Sequence, residues 1–60
     1  MKTYFIQNDS ESLRNFLMSK QINIVTTYEN MTGIVLRDDQ QLFFVGLQYG
    51  EYLHKINNNL

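Results

Sequence analysis

Arg37-Asp38-Asp39-Gln40-Gln41 is a run of five charged or amide residues between the apolar runs Ile34-Val35-Leu36 and Leu42-Phe43-Phe44-Val45. It reads either as a solvated turn, since turns are rich in Asp and amides, or as part of a binding site. On an extended chain the adjacent Asp38 and Asp39 point to opposite faces, which argues against a carboxylate dyad for proton transfer or for a metal. His54-Lys55 is the second polar candidate, either an exposed strand end or a base-binding pair. Ser10, His54 and an aspartate would supply the residue types of a nucleophilic triad, yet nothing in their spacing positions one. With no cysteine, one histidine, no glycine-rich phosphate loop and no nucleophile elbow, neither an enzyme nor a bound cofactor is expected. A zinc site built by one chain is equally hard to assemble from a single imidazole.

The chain that must position these residues has 60 residues, which bounds it to one domain near the lower limit for a self-sufficient core. It has no disulfide to staple it, so self-association is the remaining common remedy. A hydrophobic fraction of 43% and the absence of proline mark a folded domain rather than a linker. The net charge of −1 gives no overall electrostatic footprint for nucleic acid, so any such binding must be local. No apolar run approaches the length of a membrane span and the N-terminus does not read as a signal peptide, so a cytoplasmic protein is expected.

Residues 1–8, with the β-prone Tyr4-Phe5-Ile6, read as an arm or an extra strand. Asn8-Asp9-Ser10-Glu11-Ser12 offers N-capping groups, and Leu13, Phe16 and Leu17 follow at helical spacing, which predicts a helix over 9–19. From Gln21 the period becomes two, and strands are predicted within 21–56, at about 22–27, 31–36, 42–47 and 51–56, with turns at Glu29-Asn30 and Gln48-Tyr49-Gly50. Residues 57–60 are a tail or a last short strand. The strands at 31–36 and 42–47 are apolar on both faces, so both faces must be covered. The fold class expected is therefore mostly β with one N-terminal helix, a small strongly bent barrel of 4–5 antiparallel strands whose edges remain open to intermolecular pairing.

Helix, hinge and apolar run together resemble the bacterial Sm-like family, the Hfq RNA chaperones, across about residues 10–56. Gly33 and Asp39 have the spacing of the family's G-x-I-x-x-F-D-x-F hinge, Val35 holds its aliphatic position, Gln40 follows the aspartate, and Leu42-Phe43-Phe44-Val45 is the apolar run. Lys55 falls at the lysine of the family's Y-K-H motif. Two hinge phenylalanines are replaced, by Asp38 and Gln41, the motif tyrosine is His54, and the turn at Glu29-Asn30-Met31 is shortened.

The resemblance implies an Sm-like barrel assembling into a homo-oligomeric ring that binds single-stranded RNA at its rim. Gln40 and Lys55 are the matching members of the RNA site, with His54 and Gln41 beside them, while Asp39 and Gly33 would order the loop. Repeating one lysine around a rim would concentrate basic charge, but an aromatic lost at Gln41 forfeits stacking of about 1–3 kcal/mol per base. The alternative is a small protein-interaction module or inhibitor, of the sort mobile genetic elements encode, acting through exposed strand edges and aromatics.

Overall fold

The computed structural model describes residues 2–55. Strand β1 (Lys2–Ile6) leads to helix α1 (Glu11–Ser19), the hairpin of β2 (Asn23–Tyr28) and β3 (Met31–Leu36), helix α2 (Asp39–Tyr49), a 3₁₀ turn (Gly50–Tyr52) and the short strand β4 (Leu53–Lys55). The strands form one sheet in the order β2-β3-β1-β4, antiparallel at every step. β1 and β2 are both antiparallel to β3 and hence parallel to each other, as are β3 and β4. Each helix thus crosses over one intervening strand, the split βαβ arrangement of ferredoxin-like folds.

α1 starts where Ser10, in an extended conformation, accepts a hydrogen bond on its hydroxyl from the Leu13 N–H at 3.2 Å, with Glu11 in the first turn facing the positive end of the helix dipole. It ends in a Schellman motif. Gln21 has a left-handed φ of 58°, its N–H donates to the Met18 carbonyl at 3.0 Å, and the Ile22 N–H donates to the Leu17 carbonyl at 2.9 Å. Ile22 and Leu17 are both buried, which supplies the apolar contact that accompanies such a cap. An ion pair of Arg14 with Asp9 and a hydrogen bond from the buried Thr32 hydroxyl to the Asn8 carbonyl, 2.8 Å, hold the β1–α1 connection against β3.

The hairpin turns at Glu29-Asn30, as the sequence predicts, and both residues have positive φ, 32° and 65°. A two-residue turn of this kind has the twist that lets Tyr28 pair directly with Met31. A bulge at Val25 shifts the β2–β3 register between Ile24 and Thr26.

Both helices pack on one face of the sheet. Tyr4 and Ile6 of β1 and Ile34 and Leu36 of β3 point to that face, and with Leu13, Leu17, Ile22 and Val45 they form the core. The Phe16 and Tyr49 rings meet edge-on at 5.4 Å, and the Lys20 ammonium sits 4.5 Å above the Phe44 ring, so the end of α1 is fastened to α2.

Three expectations are corrected. The strand predicted over 42–47 is part of helix α2, because Asp38 caps it and its partner residues are supplied by the sheet rather than by a neighbouring strand. The strand predicted over 51–56 is reduced to Leu53–Lys55, since the 3₁₀ turn takes residues 50–52, and Ile56 lies outside the described residues. With a helix in place of a central strand, the Sm-like barrel is replaced by an open four-stranded sheet. Of the two readings of residues 1–8, arm or extra strand, the structure has the strand, Lys2–Ile6 paired on both sides, and the helix expected over 9–19 runs from Glu11 to Ser19 with Ser10 as its cap. Residues 57–60 also lie outside the described residues.

Candidate functional site

The N-terminus of α2 takes up the polar stretch on which the sequence reading centred. Asp38 is its N-cap, in an extended conformation, and its carboxylate accepts from the Gln41 N–H at 2.9 Å. Gln41 answers with its side chain: Oε1 accepts from the Arg37 N–H at 2.8 Å, and Nε2 donates to the Gln21 carbonyl at 3.4 Å. This is a reciprocal cap of the capping-box type, shifted by one residue. It also stitches the start of α2 to the end of α1. Gln41 is only 7% exposed, so its amide is spent on structure and is not presented to a ligand.

Asp39 is the first residue of α2 and exposed there, not a residue ordering a loop between two strands. Gly33 lies inside β3, opposite Phe5 on one side and Thr26 on the other. A Cβ at Gly33 would stand 2.7 Å from the Thr26 methyl, so the glycine is needed for close packing beside the β2 bulge. Gln40 is exposed in the first turn of α2. Lys55 pairs with Tyr4 and so shares the helix-bearing side of the sheet. His54, one residue earlier, faces the other way. The single chain therefore does not bring Gln40, Gln41, His54 and Lys55 to one site.

A shallow hollow of about 70 Å³ lies at the α2 cap, lined in part by Lys2, Arg37, Asp38 and Asp39, whose charges offset one another. It is far below the few hundred Å³ that a small-molecule site needs. Ser10 is engaged in capping α1, and His54 stacks on Phe5, so each has a structural partner of its own. No group of three or more His, Cys, Asp or Glu that could hold a metal ion is found among the described residues.

The larger feature is the side of the sheet away from the helices, which no described element covers. Phe5 lies at its centre on β1, paired with His54 of β4, and the two rings stack with centroids 5.0 Å apart and planes 23° from parallel. Beside Phe5, Gly33 of β3 lies between Met31 and Val35, and the Thr26 and Val25 methyls of β2 close over it. On β2 the alternation and the bulge bring Val25 (55% exposed) and Tyr28 (64% exposed) to the same side. Thr3, Asn23 and Thr26 complete it. No Lys, Arg, Asp or Glu of the four strands points to this face. The sequence pointed to His54 but not to Phe5; its signal was the β-prone Tyr4-Phe5-Ile6, whose central position depends on pairing Phe5 with Gly33 and His54, 28 and 49 residues away.

No protein-family model, no curated protein and no solved structure matches the chain. No helix of the described residues is long and apolar enough to cross a membrane.

Proposed function

We propose that this chain is a small protein-interaction module that docks on its partner through the uncovered face of its sheet. The observation that carries this reading is the make-up of that face: Phe5, His54, Tyr28, Met31 and two valines, without one charged side chain of the Lys, Arg, Asp or Glu type. The centres of protein interfaces are built this way, enriched in aromatics and Met and depleted in charge. A phosphate backbone would instead require lysines or arginines on the same surface. The reading differs from strand-edge docking in its surface. The β2 edge is broken by its bulge and is a poor template for an added strand.

The Phe5–His54 stack favours a second reading, single-stranded RNA laid across the sheet, since a four-stranded sheet can hold bases on aromatic side chains. The ring-rim site of Gln40, Gln41 and Lys55 is less well supported, because Gln41 is committed to the α2 cap. Two measurements decide. A photo-reactive phenylalanine analogue placed at Tyr28 should yield a discrete protein adduct in the producing cell, while the same probe at Ser12 on α1 should not. An oligouridine followed by fluorescence anisotropy at low salt should show no binding. Binding that falls tenfold or more in Phe5→Ala and His54→Ala would overturn the protein reading in favour of RNA, and loss in Lys55→Ala with a shallower salt slope would restore the basic rim.

A further inference from the structure

The second uncovered apolar surface is the outer side of α2, and it is independent of the sheet face. Phe43 and Leu47 are 61% and 71% exposed, on a helix whose opposite side, Gln41 and Val45, is buried against the sheet. Phe43, Gly46, Leu47 and Gly50 follow one another at i, i+3, i+4 and i+7, the spacing of a helix seam that meets another helix. Here that seam points outward. Tyr49 leaves helical angles (φ −128°, ψ 25°) and Gly50 opens the 3₁₀ turn, yet Gly50 borders the same depression as Gly46 and Leu47. A Cβ at Gly46 or Gly50 would meet nothing within 4 Å, and around them opens a depression of about 390 Å³ bordered by Leu47 and Tyr52.

We infer that a second copy of this chain covers this face, with the two α2 helices antiparallel about a two-fold axis between positions 46 and 47. Two features of the seam select a second copy. First, bulky and small residues alternate on one seam, so the two-fold sets Phe43 against Gly50 of the second copy and Leu47 against its Gly46. A two-fold interface uses one patch twice, and it must be complementary to itself. Second, the stretch from Gln40 to Gly50 carries no charge; Glu51 borders the depression, but the two-fold sets it against Leu42 of the second copy, so like charges do not oppose each other when the face meets its own image. The seam is a single eleven-residue helix about 16 Å long with two bulky exposed residues, a small patch beside a standard interface of about 800 Å² per partner. The association is therefore a concentration-dependent dimer rather than a permanent one.

Light scattering on a sizing column tests this across micromolar to millimolar protein. The mass should rise toward twice 7.2 kDa with concentration. Leu47→Asp and Phe43→Asp should each hold it at the monomer value while keeping the far-UV circular dichroism of the native chain, and Met18→Asp, at an exposed apolar residue on α1, should leave the dimer intact. Because the chain has no cysteine, a single Leu47→Cys reports the axis directly: it should form a covalent dimer on mild oxidation, and Ser12→Cys should not. A monomer at every concentration overturns the inference. So does a dimer that survives Leu47→Asp but is lost in Phe5→Glu, which would place self-association on the sheet face. Neither result bears on whether Tyr28 cross-links to a different protein, so the two proposals fail separately.

Discussion

Gln41 shows how much one side chain can be asked to do in so small a protein. Its amide satisfies the Arg37 N–H ahead of α2 and reaches the Gln21 carbonyl at the end of α1, while its own N–H is taken by Asp38. Gln41→Ala should cost about 1–2 kcal/mol, the net worth of the bonds lost, seen as a lower urea midpoint with an unchanged slope. If the midpoint does not move, the cap is not holding the two helix ends together. Gln21 offers the opposite case. A non-glycine residue with φ of 58° is strained, and only its backbone carbonyl is used by Gln41. Gln21→Gly should raise stability by about 0.5–1 kcal/mol, against the usual sense of a glycine substitution, because the left-handed position favours the residue with no Cβ. A lower midpoint in this variant would mean that the Schellman end of α1 does not form.

At the scale of elements, α1 and the hairpin were legible in the sequence and α2 was not. Ser10 followed by Leu13, Phe16 and Leu17 spells a capped amphipathic helix, and Glu29-Asn30 between β-branched runs spells a turn. In α2 the inward residues Leu42, Val45 and Tyr49 and the outward residues Phe43 and Leu47 are apolar alike, so the 3.6-residue period that separates a helix from a buried strand is erased. Phenylalanine and valine then tip a local reading toward β structure. The signal that survives is Asp38-x-x-Gln41 directly before the apolar run, which marks a helix start. The same erasure explains the candidate site. His54 was legible as an exposed polar residue, but its partner Phe5 sits in a strand whose two neighbours come from distant parts of the chain. Far-UV circular dichroism separates the two architectures. Helices of nine and eleven residues in a chain of sixty make one third helix, whereas a barrel with α1 alone would show about half that. Asp38→Ala should lower stability by about 1 kcal/mol through loss of the α2 cap, and in the barrel it would remove only a turn residue.

For the whole molecule the governing fact is that one face of one sheet carries the entire core. At about 0.05–0.15 kcal/mol per residue, sixty residues hold a total stability of roughly 3–9 kcal/mol. Ile34 is fully buried on the inner strand β3, where it pairs with Tyr4 of β1 and Ile24 of β2 and lies beneath the helices. Truncating such a residue costs about 2–5 kcal/mol, because little can move in to fill the space. Ile34→Ala should therefore take the domain to the edge of unfolding, with most of its cooperative urea transition shifted below room-temperature working conditions. Val35→Ala, one position along the same strand but on the uncovered face and only partly buried, should cost far less and leave a cooperative transition in place. Equal losses at the two positions would mean that both sides of β3 are covered, as in a closed barrel or in an assembly that buries the sheet face. Repeating the pair at high and low protein concentration tells these apart, since only an assembly makes the cost at Val35 depend on how many copies are present.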